Sequence, residues 1–210
     1  MGIDNLFIEL LHNLCERFGF FLTPFLRIIT ICGEKAWLFL VVALFLVLRK
    51  KTRWVGATAI LAVFIGFIFA DVIMKPFFMR MRPYTESNLF QDYWALAGAY
   101  AEEGYSMPSG HTVGVTSFFI SLLITCAKKY RPIVKRIGIV AIILMVISRC
   151  YFMHHYLTDC MVGIVVGVIA SYIAKVIVRL VFNICKRYSN FTFFNFILNF
   201  DLFRGFAQND

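Results

Sequence analysis

WVGATAILAVFIGFIFADVIMKPFFMRMRP, residues 54–83, opens as an almost unbroken apolar run and closes in a group of fixed cations. Its first part, Trp54 to Met74, holds a single charge, Asp71. A helix of roughly 20 apolar residues covers a hydrocarbon core of about 30 Å, so this part reads as a membrane crossing. The second part places Lys75 and Arg82 at the end of that crossing, with Pro76 and Pro83 disfavouring a regular helix between them.

Four further apolar stretches flank this one: Ala36 to Leu48, Thr112 to Ala127, Val134 to Ile147 and Asp159 to Phe182. The first and the Val134 stretch are short, and flanking Lys and Arg side chains can snorkel to lengthen them. With 60% hydrophobic residues, 24 Phe and a mean hydropathy of +0.78, the 210-residue chain lies far outside the range of soluble domains. The fold class expected is all-α: a polytopic helical membrane protein, a bundle of about six helices with five transmembrane crossings. The sixth helix is N-terminal. Ile3, Leu6, Phe7, Leu10 and Leu14 fall at helical spacing, while Pro24 and Arg27 interrupt the more apolar continuation, so residues 3–32 form either an interfacial helix or a crossing. Acidic residues interrupt this stretch and no basic start precedes it, which argues against a cleavable signal peptide. Three regions follow: residues 1–34 as the N-terminal segment, 35–185 as the core and 186–210 as a cytoplasmic tail.

The formal charge of +9 does not point to nucleic acid, because the cations sit in short clusters between apolar runs. Arg49, Lys50, Lys51 and Arg53 form one cluster and Lys128, Lys129, Arg131, Lys135 and Arg136 another, and both are expected on the cytoplasmic side. The loops 75–111 and 148–159 then share the opposite face. The six Cys show no CxxC pair and read as small buried hydrophobes.

Ionisable residues beside membrane segments are expensive unless they are paired or functional. Lys75 and Arg82 alone would be ordinary interfacial anchors. Pro108-Ser109-Gly110-His111 opens the next apolar helix, where Ser109 can cap, Gly110 allows close backbone approach and the free N–H groups of the first turn favour an anion. In Ser148-Arg149 to Asp159, His155 and Asp159 stand at i and i+4, so a helix there would let the carboxylate hold the imidazole. Brought to one face, Lys75, Arg82 and Arg149 can neutralise a phosphoryl group. No carboxylate cluster suited to a metal accompanies them, so no metal or cofactor is expected and the stabilising charge comes from the cations and backbone amides.

Taken in order, Lys75-x6-Arg82-Pro83, Pro108-Ser109-Gly110-His111 and Ser148-Arg149-x5-His155-x3-Asp159 resemble the three-part signature of the type-2 phosphatidic acid phosphatases, over about residues 35–182. The resemblance implies a metal-independent phosphatase in which His155 is the nucleophile that forms a phosphohistidine, Asp159 orients it, and His111 is the general acid and then the base. Lys75, Arg82, Ser109, Gly110 and Arg149 are similar to the family's phosphate-holding groups. His154 has no place in the pattern. The family also resembles the soluble vanadium haloperoxidases, from which the membrane spans separate this chain.

The substrate expected is a lipid phosphate presented from the bilayer, with undecaprenyl diphosphate first and phosphatidylglycerophosphate, phosphatidic acid or diacylglycerol diphosphate as alternatives. A phosphotransferase and a non-catalytic lipid-phosphate binder or transporter are the competing classes. A bacterial plasma-membrane protein with its site on the extracytoplasmic face is expected. Tyr93, Trp94 and Tyr100, beside Glu86, Asp92, Glu102 and Glu103, mark residues 84–105 as either a lid or a plain interfacial loop.

Overall fold

The computed structural model describes residues 2–202, which form an all-helical bundle without strands. The end of the expected tail, residues 203–210, lies outside the described residues. The helices are α1 (Ile3–Gly33), α2 (Trp37–Leu48), α3 (Arg53–Phe67), α4 (Lys75–Phe78), α5 (Pro83–Glu86), α6 (Asn88–Leu96), α7 (Gly110–Thr125), α8 (Arg131–Tyr151), α9 (Leu157–Arg187) and α10 (Thr192–Asn199). A π-helical segment, Ile68–Met74, carries α3 into α4. Three stretches, Ile3–Leu48, Arg53–Glu86 and Leu157–Arg187, hold helix long and apolar enough to cross a membrane, the first broken at Lys35–Ala36 and the second at residues 79–82, and α7 is a shorter apolar helix. The chain is an integral membrane protein built as a helical bundle.

Small residues set the bundle. Between helices in lipid the hydrophobic effect gives little, and close backbone approach through Gly, Ala and Ser supplies the packing. Gly163, Gly167 and Ser171 recur every fourth residue along α9 and face α7. A Cβ on Gly167 would stand 2.7 Å from Thr116 Cβ and 2.9 Å from the Val113 carbonyl oxygen. One turn on, Ser171 Oγ donates to the Ser117 carbonyl at 3.0 Å. Gly66 of α3 meets Val113 and Ser117 from the other side, so α3, α7 and α9 form one tight unit.

The two ends of the bundle differ in charge. Arg49, Lys51, Lys129 and Tyr130 line one groove, and Trp54 at its edge also joins Lys175, Arg179 and Lys186, so the basic clusters share an end as their spacing predicts. Arg53 donates there to the Ile197 and Leu198 carbonyls, at 2.7 and 3.1 Å, and fastens α10.

Helix α1, which covers residues 3–32, docks on the ends of α8 and α9. Asp4 Oδ1 accepts from the Thr158 N–H at the start of α9, 2.9 Å. Cys15 and Thr23 both meet the Tyr151 hydroxyl, at 3.1 and 2.6 Å, Ser148 Oγ donates to the Leu26 carbonyl, 2.9 Å, and Gly33 abuts Met145. Every one of these partners lies in the last turns of α8 or just beyond them. Helix α1 therefore packs on the last turns of α8 and the start of α9, and Lys35 and Ala36, at φ of 46° and 54°, turn the chain into α2. All six cysteines are free, with Cys15, Cys150, Cys160 and Cys185 buried.

Overpacking a tight helix contact costs about 1–3 kcal/mol. Gly167→Val should therefore lower the thermal unfolding midpoint of the detergent-solubilised protein by several degrees, read by intrinsic fluorescence or aggregation, while Gly2→Val, where nothing lies within 4 Å, leaves it unchanged.

Candidate active site

Past Tyr151 the chain reverses. Met153 adopts a left-handed φ of 58°, and the N–H groups of His154 and His155 both donate to the Arg149 carbonyl, at 3.1 and 3.3 Å. The reversal returns His155 to the level of Arg149. His155 Nδ1 lies 2.6 Å from the Ser106 carbonyl oxygen. A carbonyl only accepts, so Nδ1 carries the proton and Nε2 keeps its lone pair.

The direct hydrogen bond expected between His155 and Asp159 is not made: Asp159 Oδ2 stands 3.8 Å from Nδ1, within ion-pair range only. The i, i+4 argument presumed a helix across both residues, whereas α9 begins at Leu157 and His155 precedes its extended N-cap, Tyr156. Asp159 instead accepts from the Tyr156 N–H at 2.8 Å, from Arg80 Nη1 at 2.7 Å and from the Ser106 hydroxyl. The carboxylate thus supports Ser106, and the Ser106 backbone supports the imidazole.

Arg82 and Arg149 converge on Glu102. Arg82 Nη1 donates to Glu102 Oε2 at 2.9 Å and to the His154 carbonyl at 3.0 Å, while its Nε and Nη2 reach the carbonyls of Gly104 and Glu103 at 3.0 and 2.9 Å. Arg149 Nη2 donates to Glu102 Oε1. Burial opposes the Glu102 charge, but Arg149, His154 and the Arg149 hydrogen bond outweigh it and hold the carboxyl well below the usual carboxylate range. Arg149 Nε and Nη1 and His111 Nε2 are buried with no hydrogen-bond partner among the described residues. Buried donors and acceptors are ordinarily satisfied, so these three atoms mark a place for a polar group.

Lys75, Arg82, Gly110, His111 and His155 line one cavity of about 610 Å³, joined by Tyr100, Glu102 and Glu103 from the intervening loop. Its far wall is apolar, formed by Leu40, Val63, Phe64 and Phe67. Lys75 is paired with Asp71 of the π-helical segment at 2.6 Å. The other expected site residues, Ser109, Arg149 and Asp159, are buried behind the cavity. Ser109 occupies the N-cap of α7, but its hydroxyl accepts from Thr112 Oγ1 at 3.1 Å instead of from a backbone amide, and its own N–H donates to the Asp159 carbonyl at 3.2 Å.

Several residues of this assembly carry no sequence signal of their own. Arg80 sits between Lys75 and Arg82 but resembles any flanking cation, Ser106 is one polar loop residue among many, and Asp4 lies 155 positions from Asp159. Glu102 and Tyr100 fall in the 84–105 loop, where Tyr84 stacks on Trp94 at 5.3 Å and its hydroxyl donates to the Glu102 carbonyl at 2.9 Å. His154, outside the motif, braces the same loop, its Nε2 donating to the Tyr100 carbonyl at 2.8 Å, while its Nδ1, 3.5 Å from Glu102 Oε1, makes no hydrogen bond among the described residues.

Burial, then the charges of Arg149 and Arg82, depress the His155 pKa well below the ordinary histidine value, so the imidazole is neutral near pH 7. Burial and Arg149 likewise lower His154 to about 4. An unfolded chain protonates its histidines near pH 6.5 while the folded one does not, so the unfolded state gains protons first. Stability should therefore fall as pH drops from about 6.5 toward 4, and His154→Gln should flatten the slope of thermal midpoint against pH in that window; an unchanged slope would contradict the neutral buried imidazole.

A family described as the PAP2 superfamily matches residues 51–183. No curated protein sequence matches the chain. Two solved structures share its fold. The first transmembrane PAP2-type phosphatidylglycerolphosphate phosphatase from Bacillus subtilis is 20% identical, covering 81% of this chain and 91% of its own at a TM-score of 0.59. Aquifex aeolicus LpxE is 23% identical, covering 83% of this chain and 98% of its own at a TM-score of 0.61. The family match spans more than half of the sequence and takes in all three clusters that build the cavity, so this chain belongs to the PAP2 superfamily.

Proposed function

We propose that the protein is a membrane lipid phosphatase that works through a phosphohistidine on His155. The observation that carries this reading is the His155 imidazole, proton fixed on Nδ1 by the Ser106 carbonyl, in one cavity with His111, Lys75 and Arg82. In the first step the Nε2 lone pair attacks phosphorus, the bond to the leaving oxygen breaks, and His111 delivers a proton to that oxygen. Water then attacks the phosphohistidine, His111 takes its proton, the P–N bond breaks and the electron pair returns to Nε2. Arg82, Arg149, Lys75 and the amides opening α7 hold the equatorial phosphoryl oxygens, and no metal is required in this scheme. Glu102, shared by the two arginines, must yield part of their hydrogen-bonding capacity to an entering phosphate.

The apolar wall of Leu40, Val63, Phe64 and Phe67 supports a lipid as the substrate class, because it continues from the charged end of the cavity into membrane-facing helices. Undecaprenyl diphosphate is our first choice, with phosphatidylglycerophosphate, phosphatidic acid and diacylglycerol diphosphate as further candidates. With the basic clusters at the opposite end, the site would open on the extracytoplasmic side of a bacterial plasma membrane.

Purified protein in detergent micelles should release inorganic phosphate from at least one of these four lipids. His155→Ala should lower the rate by about 10³-fold or more, and acid-labile ³²P should be trapped on the wild-type chain only. A strongly preferred soluble phosphate ester would overturn the lipid assignment, and label appearing in another lipid instead of as free phosphate would make the protein a transferase.

Orthovanadate, which mimics a pentavalent phosphoryl group, should inhibit the release, whereas EDTA should leave it unchanged. Loss of activity in EDTA that added Mg²⁺ or Zn²⁺ restores would replace the metal-free scheme.

A further inference from the structure

We infer that Asp4, acting through Arg80, is a positioning residue for the nucleophile, so that helix α1 is a working part of the active site; the inference rests on His155 being that nucleophile. Asp4 is far outside the segments that match the family, yet its carboxylate is only 15% exposed and fully engaged. Oδ1 accepts from the Thr158 N–H at 2.9 Å, and Oδ2 accepts from Thr158 Oγ1 at 2.7 Å and from Arg80 Nη2 at 2.8 Å. A carboxylate on the first-turn N–H of α9 also meets the positive end of that helix.

Arg80 spends its planar fork on two carboxylates. Nη2 holds Asp4, while Nη1 donates to Asp159 Oδ1 at 2.7 Å and to Thr158 Oγ1 at 2.6 Å. Its guanidinium carbon lies 3.9 Å from the centre of the Tyr156 ring. The Arg80 carbonyl accepts from the Ser106 N–H at 2.8 Å, and the Ser106 hydroxyl donates to Asp159 Oδ2. Arg80, Asp159 and Ser106 therefore close a ring, and the Ser106 carbonyl that leaves this ring fixes His155 Nδ1.

Without Asp4, a guanidinium that is 31% exposed has one carboxylate left to hold it and water to compete for it. Asp159, wholly buried, then loses the fixed geometry of its one cation. The displacement passes to Ser106 and from there to the tautomer and aim of the imidazole. None of Asp4, Arg80, Ser106 and Asp159 lines the cavity, so the effect belongs to the chemical step and not to substrate binding.

The test is a kinetic cycle on full-length protein in micelles with the best of the four lipids, each variant checked for an unfolding midpoint within a few degrees of wild type. Asp4→Asn should lower kcat about tenfold with KM within about twofold, Asp4→Glu should recover most of the loss, and Asp4→Asn added to Asp159→Asn should cost less than about twofold more. An equal loss in both backgrounds, or no loss in either, overturns the inference. If Asp4→Asn does not fold, Arg80→Lys, which keeps the charge and loses the fork, takes its place with the same expectations. A wild-type protein that hydrolyses none of the lipids removes the phosphatase reading, and the inference is then read from the rate at which diethyl pyrocarbonate modifies His155, followed by peptide mass spectrometry from pH 5 to 8. A rate profile displaced by Asp4→Asn and restored by Asp4→Glu supports the relay, and superimposable profiles reject it.

Discussion

Arg149 holds its guanidinium with no surface exposed to solvent, and this constraint organises one whole end of the bundle. A buried guanidinium is tolerable only with a partner of opposite sign and well-formed hydrogen bonds. Glu102 is that partner, and it arrives on the long loop between α6 and α7. The same carboxylate takes Arg82, while His154 braces the loop from the other side through the Tyr100 carbonyl. One desolvated cation thus recruits a second cation, a carboxylate and an imidazole from three separate regions of the chain. The assembly places the cations where a dianion could share them.

Helix packing supplies the frame for those charges. Close contact of α7 with α9 brings the Ser109-Gly110-His111 turn against Gly163, where a Cβ would stand 3.0 Å from the Ser109 carbonyl oxygen. That contact sets the height of His111 relative to the start of α9. On the other flank the π-helical segment lets Lys75 turn back onto Asp71 one turn earlier. A π-bulge offsets the side chains that follow it relative to a regular helix, which is why such segments recur at functional sites.

The apolar helices were legible because apolar runs are local: Trp54–Met74 ends at the last residue of the π-helical segment. Where a run met charge, reading stopped too soon. Helix α8 begins at Arg131 and not at Val134, since Arg131 is a good helix former and Pro132 falls in the first turn, where its missing N–H leaves no helical bond unmade. Five of the eight site residues expected from their motifs line one cavity, because each motif is short and the even number of apolar runs between successive motifs returns each to the same end of the bundle. Contacts between remote segments left no such trace. Asp4 on Thr158 and Gly33 on Met145 decide how α1 lies, and neither pair shares a pattern in sequence. For Asp159 the spacing itself misled, because four residues mean one helical turn only when the helix has already begun.

The group that holds the His155 Nδ1 proton is a peptide oxygen, and this changes what a genetic survey of the protein can register. Replacing the Ser106 side chain removes a hydroxyl but leaves the acceptor on the main chain untouched. The setting of the ring is stored in the course of the backbone through residues 105–107, so sequences that diverge there can preserve the same chemistry provided the loop follows the same path.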